Sequence, residues 1–177
     1  MHKLLMLVFL SVFAFANNLV LQNGEIEVHT EVFGDNEINP KTQNIDSSLN
    51  YKNSIESIRG KINILSSSLK SKKEDRDKNM YELLNSSIYP NITFNITDIK
   101  KDKNKQFQIK GNLTLNAVTK EIISLVTIEE SENIFSINGT FFIKLTQFNM
   151  KPPKMFFLTV RDKIDIKYNL IYKKDNK

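Results

Sequence analysis

The sequence predicts an all-β protein, a closed antiparallel barrel of about eight strands with one short α-helix. Three observations predict it. Seven or eight segments alternate apolar and polar residues at the two-residue period of a half-buried strand. Polar turns join them at intervals too short for alternating strand–helix units. One stretch alone, residues 74–84, carries its apolar residues at helical spacing. Seven or eight short-spaced strands interrupted by one helix call for a closed antiparallel sheet, and a barrel follows.

At the N-terminus, Lys3, an apolar run from Leu4 to Phe13 and the ending Ala14-Phe15-Ala16 read as a secretory signal peptide over residues 1–16. The run falls short of the roughly 20 residues of a membrane span, and Asn17 and Asn18 follow at once. The mature domain is then 17–177, periplasmic or secreted, with no stable membrane span after cleavage. With 0 cysteines, neither a lipid anchor at the cleavage site nor disulfide staples are available, so packing alone must hold the fold.

Residues 24–33 set Ile26, Val28 and Val32 on one strand face and Glu25, Glu27, His29 and Glu31 on the other; Gly34-Asp35-Asn36 and Asn39-Pro40 then mark loops. Ile45, Ser47, Leu49 and Tyr51 form a second strand, and Ile58, Gly60, Ile62 and Ile64 a third. A polar stretch, 66–73, leads into the helix, where Met80, Leu83 and Leu84 follow a charged first turn. Pro90 cannot continue a helix and pushes Tyr89 toward extended geometry, so Ile92, Phe94 and Ile96 begin a strand. After a charged turn at 100–105, Phe107, Ile109, Gly111, Leu113 and Leu115 alternate most cleanly. Residues 121–128 are more continuously apolar; Phe135, Ile137, Gly139, Phe141 and Ile143 give the next strand, and 158–172 the last, with Val160, Ile164, Ile166, Tyr168 and Leu170 on one side.

The charge pattern excludes several functions. Net charge is +5, but Lys and Arg are mixed with Asp and Glu throughout, without the clustered basic stripe that nucleic acid requires. An outer-membrane barrel is disfavoured by the mid-chain helix, the lack of aromatic girdles and the polar tail 173–177. Of the two histidines only His29 survives signal removal, too few for a Ser-His-Asp or His-based metal constellation. Glu27, His29 and Glu31 lie about 6.7 Å apart along one face, a spacing that reads as a solvated surface. No catalytic or metal residues are therefore assigned, and the protein is read as not an enzyme. Twelve Phe and no Trp suit either a filled core or an apolar tunnel, and alternation does not choose between them.

Three motifs carry a resemblance that favours the tunnel. Arg76-Asp77-Lys78-Asn79-Met80, Tyr89-Pro90-Asn91-Ile92-Thr93-Phe94 and Gly111-Asn112-Leu113-Thr114-Leu115-Asn116-Ala117-Val118-Thr119-Lys120 follow one another in a fixed order. The pattern resembles the YceI-like family of lipocalin-like, polyisoprenoid-binding proteins, which reads R-D-x-x-L, Y-P-x-I-x-F and G-x-L-T-L-x-G-V-T-K, over about residues 55–172. Met80 stands in place of the leucine, and Asn116-Ala117 in place of the usual turn.

The resemblance implies a lipocalin-like barrel holding an isoprenoid lipid or quinone in its tunnel, with no cofactor required. The expected ligand-binding residues, chosen by strand alternation and central position, are Ile58, Ile62, Phe94, Ile96, Ile109, Leu113, Phe141, Val160 and Ile164; Arg76 reads first as a structural partner of a neighbouring carboxylate, and alternatively as the group that closes the mouth and meets the headgroup. The expected function is an exported, non-catalytic carrier for transport or storage. The second reading is a filled barrel acting as a protein-interaction or envelope-stress module, and a homodimer is compatible with either.

Overall fold

A computed structural model describes residues 17–32, 35–102, 106–155 and 158–175; the segment read as a signal peptide lies outside the described residues. The strands are β1 (Asn17–Val32), β2 (Asp35–Ile38), β3 (Lys41–Thr42), β4 (Ile45–Tyr51), β5 (Arg59–Leu65), β6 (Asn91–Lys101), β7 (Phe107–Leu115), β8 (Val118–Ser131), β9 (Ile134–Lys144), β10 (Lys154–Met155), β11 (Leu158–Thr159) and β12 (Lys163–Lys174). The helix α1 (Glu74–Leu83) lies between β5 and β6.

Eight of these strands form a ring in the order β1-β4-β5-β6-β7-β8-β9-β12. It closes because β12 pairs back onto β1, from Leu19 opposite Lys174 to His29 opposite Asp165. Every pairing in the ring is antiparallel. β2 and β3 add to β1 beside the ring, and β10 and β11 form a small separate hairpin.

Two strands change phase. In β1 the register shifts between Leu21 and Asn23, so Leu19 and Leu21 face inward at odd positions and Gly24, Ile26 and Val28 at even ones. The strand therefore begins at Asn17, seven residues before the alternation becomes regular. In β6 a shift between Ile96 and Asp98 likewise turns Ile99 inward.

The expected last strand is two. Leu158–Thr159 turns back onto Lys154–Met155, and β12 starts only at Lys163. Asp162 separates them: its carboxylate accepts from the Thr146 backbone N–H at 3.0 Å and from the Thr146 hydroxyl at 2.8 Å, pinning the chain to the turn after β9. The join between β7 and β8 is a two-residue hairpin with Asn116 at φ 49° and Ala117 at φ 58°, the left-handed pair that a type I′ turn demands.

Side chains fill one end of the ring. Leu19, Leu49, Tyr51, Ile58, Phe107, Val126, Phe135 and Tyr172 belong to one buried cluster, with the rings of Tyr51 and Phe135 5.1 Å apart. Lys174 caps this end: its Nζ lies 4.7 Å from the Tyr51 ring centre, 5.0 Å from that of Phe135 and 2.5 Å from Glu130 Oε1. Ile58, expected in the tunnel, is 0 % exposed in this cluster. It precedes β5 at the end of the turn Ile55–Ser57, below the level at which the lumen opens.

Candidate functional site: an apolar chamber under α1

At the other end the lumen stays open as a chamber of about 610 Å³. Its floor is the inner surface of the packed cluster, at Leu49, Ile96, Ile109, Ile137 and Leu170. Ile62, Phe94, Leu113, Phe141 and Ile166 make the middle of the wall. Phe94 and Phe141 stack at 6.2 Å, and Phe141 meets Tyr168 at 6.3 Å. Ile92, Leu115, Ile143 and Ile164 stand toward the mouth, which α1 covers with Met80, Leu83 and the following Leu84.

Polar side chains gather at the mouth: Thr30, Ser71, Arg76, Asp77, Asn79, Glu82 and Lys154. The Thr30 hydroxyl is buried there without a hydrogen-bond partner among the described residues, a costly state for a polar atom.

α1 is held over the mouth by polar ties as well as by its apolar face. The buried Asp77 carboxylate accepts from the Ser71 backbone N–H at 2.9 Å, and the Tyr81 hydroxyl donates to the Leu69 carbonyl at 2.6 Å. Beyond its C-terminus, Asn85 Nδ2 donates to Asn116 Oδ1 at 2.9 Å, and Asn116 Nδ2 to the Phe148 carbonyl at 3.1 Å. These bonds tie the helix to the β7–β8 hairpin and to the turn Leu145–Phe148.

Two hydroxyl pairs break the apolar interior. Tyr168 Oη lies 2.8 Å from Ser124 Oγ, and Tyr172 Oη 2.8 Å from Ser47 Oγ. Burial pushes both tyrosines up to about 12, with the serine hydrogen bonds opposing, so both are neutral hydrogen-bonding groups at any ordinary pH.

Nine of the ten residues singled out by sequence line this one chamber: Ile62, Arg76, Phe94, Ile96, Ile109, Leu113, Phe141, Val160 and Ile164. Val160 does so from the connection before β12, not from a strand. Ile58 is the exception already noted. His29 stays outside, with Nδ1 2.6 Å from Asn39 Oδ1 and Nε2 3.4 Å from Glu31 Oε1. Sequence reasoning missed Met80 and Leu83 of the helix and the following Leu84 as part of the wall, although their spacing marks an apolar face. It also missed Thr30, which no periodicity flags.

Such a chamber is lined by apolar side chains at its floor and middle, where the Tyr168 hydroxyl is taken up by Ser124, and its other polar side chains gather at the mouth. At about 30 Å³ per carbon-sized group, the share of one water in the liquid, it holds on the order of 20 carbons. The barrel is thus filled at one end and hollow at the other.

Known proteins share this architecture. BcnA of Burkholderia cenocepacia superposes with a TM-score of 0.74 at 14% identity, covering 84% of this chain and 95% of that one. A polyisoprenoid-binding domain from Saccharophagus degradans gives 0.66 at 10% identity over 90% and 98% of the two chains. The YceI protein of Campylobacter jejuni gives 0.63 at 17% identity over 75% and 82%. At these identities the likeness is one of fold.

In sequence, a UPF0312 protein of Azotobacter vinelandii is 37% identical over 65 residues, which is 36% of this chain and 34% of that protein. A UPF0312 protein of Pectobacterium atrosepticum is 41% identical over 63 residues, 34% of this chain and 32% of that protein. Each alignment thus spans about a third of the curated relative. A family model for the YceI-like domain matches residues 19–172, a stretch that runs through all eight strands of the ring, the helix and every wall of the chamber. The chain belongs to the YceI-like family.

Proposed function

We propose that this protein is an exported, non-catalytic binding protein that holds the tail of an amphiphilic isoprenoid lipid, a polyprenyl or quinone compound, for transport or storage. The observation that carries the reading is the 610 Å³ chamber, apolar from floor to middle wall and polar only at its mouth. The polyisoprenoid-binding domain of similar fold supports it.

Energetics favour the same ligand class. Burying a five-carbon isoprene unit gains roughly 3–4 kcal/mol at about 0.8 per CH₂-sized group, so a few units offset the cost of association without specific polar contacts. Arg76, Lys154 and the unpartnered Thr30 hydroxyl are the groups that would meet a headgroup, Arg76 with a planar donor fork suited to carbonyl or phosphate oxygens. Residues 1–16 would direct the chain to the periplasm or medium.

The test is mass spectrometry of organic extracts from protein purified out of its native envelope. A stoichiometric isoprenoid lipid is the expected result. Protein that carries none, and takes up none when offered polyprenyl alcohols and quinones, would defeat the proposal.

A further inference from the structure

A glycine stands where the chamber wall needs a side chain. Gly139 on β9 is buried on the inward face between Ile137 and Phe141. A Cβ placed on it would meet the Tyr168 ring at 2.2 Å, and its three nearest atoms all belong to that one side chain. Tyr168, opposite Gly139 in the β9–β12 register, therefore does not project toward the lumen axis. Its ring lies across the bare backbone of β9, and its hydroxyl reaches Ser124 on β8 at 2.8 Å.

Ser124 completes the arrangement. It is 0 % exposed and interrupts an inward face otherwise made of Ile122, Val126 and Ile128. Its Oγ donates to the Thr140 carbonyl at 3.1 Å, which leaves it to accept from the tyrosine. Gly111 receives the Phe94 ring in a similar way, but a Cβ there would also meet the Asn95 backbone oxygen at 2.7 Å, so the Gly139 recess isolates the effect of a side chain alone. Tyr168 sits one residue pair above Ile137 and Leu170, which face each other on the chamber floor.

We infer that Gly139 and Ser124 form a recess that stows the Tyr168 ring, and that this stowing sets the depth of the chamber and hence the longest chain it accepts. A ring turned into the lumen fills on the order of 150 Å³, a space of benzene size and about one isoprene unit at about 30 Å³ per carbon. Gly139→Ala evicts the ring and shortens the chamber by that amount. For its ligand the inference rests on the lipid-binding reading; for its geometry it does not.

Two measurements decide it. The first is the ligand-free crystal structure of Gly139→Ala, in which the ring is expected to have left β9 for the lumen. The second is displacement of the neutral probe N-phenyl-1-naphthylamine by geraniol, farnesol and geranylgeraniol, each one isoprene unit longer than the last. Wild type gains affinity across the series; Gly139→Ala stops gaining at farnesol, binds geranylgeraniol at least about a hundredfold more weakly than wild type, and is rescued by adding Tyr168→Leu.

A ring still stowed in Gly139→Ala, or the same length profile in both proteins, overturns the inference. If wild type binds the probe but none of the isoprenoid alcohols, the lipid reading fails, and the crystal structure together with a straight-chain alcohol series still decides the depth. Should Gly139→Ala not fold, Ser124→Ala, which removes the hydroxyl that holds the ring against β9, must weaken geranylgeraniol relative to farnesol and be rescued by adding Tyr168→Leu, and an unchanged length profile overturns the inference.

Discussion

Phe94 and Phe141 stack 6.2 Å apart at 19°, although their strands β6 and β9 are separated in the ring by β7 and β8. Side chains so far apart along the wall meet only inside the lumen. With Tyr168 6.3 Å from Phe141, they form an aromatic layer between the solid end and the mouth. Above the floor the rings have open space beside them; below it Phe135 and Tyr172 are 0 % exposed. The two ends of one barrel thus carry different tasks, packing at one and, on the proposed function, uptake at the other.

Phe135→Ala and Phe94→Ala should separate those tasks. Phe135 is wholly buried, and truncating it leaves a sealed void, which costs about 3–5 kcal/mol. Phe94 is half-buried and borders a chamber that already exists, so its truncation forfeits contacts without creating a new void and costs about 1–2 kcal/mol. Urea denaturation should rank them in that order, while probe uptake falls only in Phe94→Ala. Equal stability losses would mean that the lumen is packed alike at both ends.

What alternation revealed and what it hid follow from its nature. β7, with both faces patterned and a turn at each end, runs over the same residues 107–115 in sequence and structure. The start of β1 was illegible because the irregularity after Leu21 switches the inward phase, so no single two-residue pattern covers Asn17–Val32. The break before β12 depends on Asp162 binding Thr146, a tertiary contact that leaves no periodic trace. Period tells which face a residue takes but not its height in the barrel. Ile58 is in phase with Ile62 and still falls below the floor. The Tyr168 recess needs the register of β9 against β12, which neither strand carries alone.

Ala117 carries strain that a glycine would relieve. At φ 58° its Cβ crowds the backbone, a cost of about 1–2 kcal/mol for a residue with a side chain. Gly removes this strain but loses about 0.4–1 kcal/mol through a freer unfolded chain. Ala117→Gly should therefore be stabilising by about 0.5–1 kcal/mol, a rise in Tm of about 1–4 °C for a domain of this size. Calorimetry that finds a lower Tm would show that the Asn116 contacts, not the turn geometry, dominate here.

Asp77 should govern how readily the mouth opens. Its carboxylate holds the Ser71 backbone N–H at 2.9 Å, and Asp77→Ala leaves that donor unpaired at a cost of about 1–3 kcal/mol. The loss falls on α1 and its preceding loop, since the ring of strands closes without them. Amide exchange in 74–83 should accelerate about tenfold or more with the global urea midpoint little changed, and stopped-flow release of a bound probe should quicken in step. Asp77→Asn, which keeps a carbonyl acceptor, should restore most of the protection. Faster exchange in β7 and β9 instead would make Asp77 a global stabiliser.

Alkaline pH should unfold the barrel through two tyrosines. In the unfolded chain the hydroxyls of Tyr168 and Tyr172 ionise near 10; in the folded barrel burial raises both to about 12. Below pH 10 both states are protonated and the stability is fully present. Between pH 10 and 12 the unfolded state alone releases protons, so stability falls as pH rises, by up to about 2.7 kcal/mol for each residue at the top of that window. The urea midpoint should decline across it with the slope of two protons, and Tyr172→Phe, which cannot ionise, should halve that slope while its neutral-pH stability drops by about 1 kcal/mol for the lost Ser47 bond. If the difference in phenolate absorbance between wild type and Tyr172→Phe instead grows in near pH 10 with far-ultraviolet circular dichroism still native, this hydroxyl is reached by water in the folded state, and the packed end is looser than its geometry requires.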